Sequence, residues 1–468
     1  MIRNLLVLVC LFGFILLSCQ VNNSNLSVST SKRAVTPKPP MGWNSWNCYG
    51  IDVKEEQVKA TADYMAKYMK EYGWEYVVID MGWYGGEDFN TQTFKMRKPK
   101  QYMDEYGRLI PAVHKFPSGR DNKGFRELAD YIHGKGLKIG IHIMRGIPWE
   151  AVEKNTPIYG TAFHARDIAE IQDSCDWFRG MIGINLTKPG AQEYYNSIAK
   201  LYADWGIDFI KADDMSRPYH TDEIMGISQG LINSGREIVL SLSPGDSPIQ
   251  SAKHLTENAN MWRISNDFWD EWRLLKNQFA LCKRWATYKV EGHWPDCDML
   301  ILGKLRITGP DNYTTKELNL SAEEITNEYS RFTTNEKYTM MNLWCIFRSP
   351  LMVGGYLPEN DSLTLALLTN KEVIDVNQNS ADNREIFSDG KIVIWSANIA
   401  DSKDKYFSVF NISDEKQDNL SLSWDHLGLS TEYVVKDLWK KEIISTFNKS
   451  IRLSLDRHAS VLYKFALK

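Results

Sequence analysis

The residues best suited to chemistry sit at the ends of short apolar runs. In Asp208-Phe209-Ile210-Lys211-Ala212-Asp213-Asp214, the two-residue period of a strand puts Phe209, Lys211 and Asp213 on one face. A lysine and a carboxylate on a buried face are costly unless they pair or work. In Met261-Trp262-Arg263-Ile264-Ser265-Asn266-Asp267, the shared face holds Arg263, Ser265 and Asp267. Trp294-Pro295-Asp296-Cys297-Asp298 adds Asp296 and Asp298, and Tyr76-Val77-Val78-Ile79 runs out at Asp80. One Asp at the end of a strand is ordinarily a helix cap. Four delivered to one rim, with Lys211 and Arg263 among them, point to paired carboxyl chemistry. One acid is kept ionised by a neighbouring cation, and another gives and takes a proton.

The elements that must hold these residues alternate along the chain. Strand-like segments are Met41–Trp46, Tyr76–Trp83, Lys138–Met144, Asp208–Asp213, Glu237–Ser243, Met261–Asp267, Trp294–Leu302 and Pro350–Tyr356. Between them run amphipathic stretches such as Glu55–Tyr72 and Ala191–Trp205. Eight strands alternating with helices predict an α/β fold, a (β/α)8 TIM barrel over residues 39–365. In that architecture the C-terminal strand ends carry the chemistry. The stretches Gly85–Tyr106 and Ile147–Gly183 exceed simple connections and are expected to cover the site. The basic run Lys95–Lys100 within the first reads as a solvated loop. Residues 366–468 change pattern to short alternating strands with polar turns, which predict a C-terminal antiparallel β-sandwich. No catalytic cluster falls there, so its expected role is to pack against the barrel.

The chain has 468 residues, 55 Lys+Arg and 59 Asp+Glu, a formal net charge of −4. That balance gives no drive to bind nucleic acid. Residues 1–18 carry Arg3 and an apolar run closing on Leu16-Leu17-Ser18-Cys19, a signal segment too short for a membrane span. Residues 19–38 are rich in Ser, Asn, Thr and Pro and read as a flexible tether. Beyond Cys19, the five cysteines Cys48, Cys175, Cys282, Cys297 and Cys345 show no short-spaced pair. They argue against a disulfide framework or zinc site and for buried thiols.

Pro39-Pro40-Met41-Gly42-Trp43-Asn44-Ser45-Trp46 resembles the opening of glycoside hydrolase family 27, the α-galactosidase and α-N-acetylgalactosaminidase family. The likeness continues in order through Tyr76–Trp83, Gly136–His142, Trp205–Asp213, Trp262–Asp267 and Trp294–Met299. Leu16-Leu17-Ser18-Cys19 likewise resembles a bacterial lipobox, implying an exported protein anchored at the cell envelope only by a lipid on Cys19. The family resemblance implies a retaining exo-glycosidase that removes terminal α-D-galactosyl residues, with Asp213 as nucleophile and Asp267 as general acid/base. It implies that Lys211 and Arg263 bind sugar hydroxyls, Trp46 walls the pocket and Asp80 contacts the far hydroxyls. It also implies that His142 stands where the family often has Tyr, that Ser243 faces the sugar 2-position, and that Asp298 and Met299 form pocket floor. Retention requires two carboxyl groups about 5–5.5 Å apart and neither metal nor cofactor.

Three departures bear on the sugar. The family's Asp-Asp after the second strand is here Asp80-Met81, Ser243 stands where α-galactosidases often carry Glu, and Asp213 is followed by Asp214-Met215 without the family's nearby Cys. They open the alternatives of a β-L-arabinopyranosidase or an α-N-acetylgalactosaminidase. Outside that class stands a non-catalytic glycan-binding lipoprotein, which could lose either acid although both are present. A purely structural surface protein would not need charges facing a barrel interior.

Overall fold

The computed structural model describes residues 36–90, 99–307, 329–429, 432–446 and 449–467. The expected signal, the tether up to residue 35 and residues 95–98 of the basic run lie outside the described residues.

Eight strands form one parallel sheet: Met41–Asn44, Tyr76–Ile79, Lys138–Met144, Phe209–Asp213, Val239–Leu242, Met261–Arg263, Trp294–Asp296 and Leu351–Val353. They pair in chain order, and the first also pairs with the last. A parallel bridge from Leu300, just past the seventh strand, to Val353 closes the ring. Both faces of such a sheet are covered, so its strands read as apolar runs. Val77, Val78, Ile79, Ile139 and Ile141 are all fully buried. Helices Glu55–Tyr68, Thr221–Asn233 and Trp272–Trp285 bury Val58 and Met65, Ile224 and Leu231, and Leu275 and Cys282 on their inner faces. That spacing is two turns of an amphipathic helix.

The third and fourth strands end at Met144 and Asp213 as expected, whereas the other six stop shorter, because the polar residues at their ends have left the ladder. The backbone turns sharply there, with Asp214 at φ 66° and Asp298 at φ 78° in the left-handed region. Asp occupies that region more readily than most residues. After Asp80-Met81 the chain passes Ile51 so closely that a Cβ on Gly82 would lie 2.3 Å from the Ile51 carbonyl.

The long excursion after the third strand folds as its own antiparallel sheet from Ile147–Pro148, Ala169–Ser174 and Met181–Ile184. The C-terminal part holds a six-stranded antiparallel sheet and the two-stranded pair Gln417–Ser423 and Ser450–Leu455. Its core is Phe407, Val409, Trp424, Val435 and Phe465. Its two edge strands, Ser380–Ser388 and Glu442–Thr446, had no alternating apolar signal, since an edge strand need not bury a face. Helix Thr334–Phe347 joins the two parts. Thr333 caps it in a box with Glu336, Thr339 and Asn342 bond Ser460, and Met340 to Phe347 are buried throughout. Phe279 of the barrel and Phe410 of the sheet meet edge-on at 5.0 Å. All five described cysteines are free and buried. Among the described residues no helix is long and apolar enough to cross a membrane.

Candidate active site

Lys211 is the central residue of the fourth strand, with its Nζ 2.8 Å from Asp80 Oδ2 and 3.9 Å from Asp213 Oδ1. Asn44, at the end of the first strand, donates to the same Asp80 oxygen at 2.7 Å, and Ser45 Oγ accepts from the Asp80 backbone at 2.9 Å. Three strands thus converge on one buried ammonium. Burial opposes its charge, but Asp213 and Asp80 overcome that and hold Lys211 protonated well above the usual lysine range.

Asp213 has the complementary problem. Burial would raise its carboxyl, but the Lys211 ammonium and His142 pull it down to about 2. His142 Nε2 is 3.0 Å from Asp213 Oδ2. An ionised carboxylate can only accept, so Nε2 carries the proton. Asp80, His142 and Asp213 also bring ligand atoms within 4.8 Å of one another, close enough for a metal ion. Lys211 already places a fixed positive charge against two of them.

Across the opening, Arg263 Nη2 lies 2.7 Å from Asp298 Oδ2 and 3.3 Å from Asp267 Oδ1. Asp298 Oδ2 also accepts from the Phe268 backbone N–H at 2.8 Å. Burial pushes Asp298 up to about 6 despite Arg263, and burial with the neighbouring Asp298 pushes Asp296 up to about 7. The two acids singled out by sequence therefore differ in setting. The Asp213 side chain is 9 % exposed and ionised, whereas that of Asp267 is 34 % exposed.

Trp46, Asp80, Lys211, Asp213, Arg263, Asp267, Asp298 and Met299 line one cavity of about 860 Å³. His142 and Ser243 do not line it. His142 buttresses Asp213 from behind, and Ser243 lies below with Lys211, Arg263 and Asp296 around a void of about 20 Å³. The wall also includes Met81, Asp176, Trp177, Asp214, Arg217, Trp269 and Arg273. Of these, sequence had flagged Met81 and Asp214. Trp177 comes from the long excursion expected to cover the site, but nothing in its local pattern marked it. Asp214 is turned to Arg145, whose Nε and Nη2 lie 3.0 and 2.9 Å from Asp214 Oδ2. Burial nevertheless raises its carboxyl to about 6.

Residues 38–177 and 180–323 match the family described as Alpha galactosidase A, and residues 389–465 match the Alpha galactosidase C-terminal beta sandwich domain. The chain belongs to glycoside hydrolase family 27. A family-27 β-L-arabinopyranosidase from Geobacillus stearothermophilus is 46 % identical with a TM-score of 0.85, covering 92 % of this chain and 96 % of that one. A structure from Bacillus halodurans C-125, described provisionally as an α-N-acetylgalactosaminidase, is 41 % identical with a TM-score of 0.80, covering 93 % and 100 %. Alpha-galactosidase 2 of Arabidopsis thaliana is 27 % identical over 91 % of this chain and 88 % of its own length. The chain is thus a glycoside hydrolase of the α-galactosidase family, built as a barrel and a β-sandwich.

In this family-27 enzyme the raised Asp296 sets a pH dependence. Its folded value, about 7, lies above the 3.8 of the free side chain. The stability it contributes is complete below pH ~4 and is lost as pH rises through ~7. Asp296→Asn, which cannot ionise, should therefore gain stability relative to wild type between pH 5 and 8, read by denaturant melts. A constant difference across that range rejects the assignment.

Proposed function

We propose that this hydrolase works by double displacement, with Asp213 as nucleophile and Asp267 as general acid/base. Ionised Asp213 attacks the anomeric carbon, and Asp267 protonates the departing oxygen. Asp267 then takes a proton from the water that releases the sugar. Its partly exposed position suits an exchange with incoming water, while burial beside Lys211 suits a group that must stay charged. Asp80, Lys211, Arg263 and Asp298 offer charged hydrogen-bonding groups for ring hydroxyls, and Trp46 offers an aromatic wall.

The preferred substrate is a terminal β-L-arabinopyranoside, and Met81 carries that reading. Its side chain is 1 % exposed and stands in the cavity wall directly beside Asp80. A thioether there offers no strong partner to a hydroxymethyl group at the far end of the ring. Leaving such a hydroxyl unpaired costs roughly 1–3 kcal/mol. An arabinopyranose has the same ring hydroxyl arrangement as galactose and lacks that group. The Geobacillus stearothermophilus enzyme, 46 % identical, supports the choice. Terminal α-D-galactosides are the second reading, favoured by the curated α-galactosidases at 26–27 % identity.

The lipobox-like Leu16-Leu17-Ser18-Cys19 and the polar stretch after it support export and attachment to the cell envelope by a lipid on Cys19. Cys19→Ser is then expected to move the protein from the membrane fraction to the soluble one, and unchanged partitioning rejects the anchor.

Asp213→Ala should lower kcat by at least about 10⁴-fold with an unchanged circular dichroism spectrum. Normal turnover would reject the nucleophile. With p-nitrophenyl β-L-arabinopyranoside and α-D-galactopyranoside side by side, wild type should favour the arabinoside. Met81→Asp should swing the kcat/KM ratio toward the galactoside by about 10-fold or more. A ratio that does not move removes Met81 from the specificity argument.

A further inference from the structure

Asp267 has little of its own to hold it. Among the described residues its side chain bonds Arg263 at 3.3 Å, and it is 34 % exposed. The three residues after it are fastened instead. Phe268 N–H is bonded to Asp298, and Trp269 packs against Trp46 and Leu274. Asp270 is wholly buried between two guanidinium groups. Its oxygens lie 3.4 Å from Arg306 Nη1 and Nη2, and they accept the Arg331 backbone N–H at 2.9 Å and Arg331 Nη2 at 3.3 Å. Arg306 in turn donates its backbone N–H to the Asn47 carbonyl at 2.7 Å. Asn47 follows Trp46, and both line the sugar cavity.

We propose that Asp270 is the positioning residue for Asp267: clamped between Arg306 and Arg331, it fixes the Asp267–Glu271 loop against the loop that carries Trp46. This rests on Asp267 being the general acid/base. A buried carboxylate between two cations is an anchor with one seat, because any displacement leaves charges unpaired away from water. Asp267 inherits that rigidity through three peptide units. Proton donation to the leaving oxygen demands hydrogen-bond reach, and a misplacement of about 1 Å costs roughly 100-fold.

The test separates acid assistance from general damage, using full-length protein and the glycoside series the enzyme turns over. A 2,4-dinitrophenyl leaving group departs without a proton, whereas methanol needs one. D267A is the reference, and its kcat/KM should collapse on the methyl glycoside and change little on the dinitrophenyl glycoside. Added azide should also restore its kcat on the activated substrate. If D267A lacks this signature, the acid/base assignment itself fails. D270N should reproduce the pattern, falling at least about 100-fold on the methyl glycoside and less than about 5-fold on the dinitrophenyl one. Equal losses on both substrates, or none, with D267A behaving as stated, overturn the proposal for Asp270. If circular dichroism finds D270N unfolded, Arg331→Met decides. It removes one of the two guanidinium groups and should show the same leaving-group selectivity, and a uniform loss overturns the proposal.

Discussion

A lysine ammonium enclosed at the mouth of a parallel barrel must have carboxylates around it. Lys211 has two, on different strands, and the rest of the site is arranged about that contact. Asp80 accepts from Lys211 and from Asn44, which joins the first, second and fourth strands in one charged hydrogen-bonded group. Asp213, the proposed nucleophile, is held ionised by the same ammonium in surroundings that would otherwise protonate it. Breaking such a buried pair leaves an uncompensated charge out of water, a penalty of roughly 3–5 kcal/mol. The geometry of the sugar end of the cavity is therefore tied to the integrity of the fold.

The other half of the rim is organised by a different imbalance. Arg263 faces Asp267, Asp296 and Asp298, one guanidinium among three carboxyl groups. Burial raises the two inner acids to about 6 and 7, while Asp267 alone reaches toward solvent. The cavity thus has a side rich in fixed charge and a side where protons move at moderate pH. Paired carboxyl groups in unlike environments are what retaining glycoside hydrolysis requires.

Much of the molecule was legible in the residues. The eight barrel strands are buried on both faces, so they appear as apolar runs whatever their partners, and each was found in its place. Strand period placed Lys211 with Asp213 and Arg263 with Asp267 before any pairing was known. What periodicity missed lay where burial is one-sided or absent. Ser380–Ser388 and Glu442–Thr446 are sheet edges without an alternating core face. Trp177 reaches the cavity wall from the excursion after the third strand, and no local pattern distinguishes it from a core tryptophan. His142 and Ser243 meet Asp213, a contact between strands that the period within one strand does not reveal.

Local sequence by itself determined the strands, the helices and which side chains share a face, because those follow from backbone period and apolar burial over a few residues. It also carried the motifs that mark family 27, and the lone Met81 beside Asp80. Only the tertiary structure decided which acids share a cation, which is ionised, and which faces water. The partners it added, Asp80 and His142 around Lys211 and Asp213 and Asp298 beside Arg263, come from positions dozens to more than a hundred residues away in the chain. Lys211 and Asp80 are 131 residues apart and meet at 2.8 Å, a separation set by the pairing of the second, third and fourth strands and by nothing nearby in sequence.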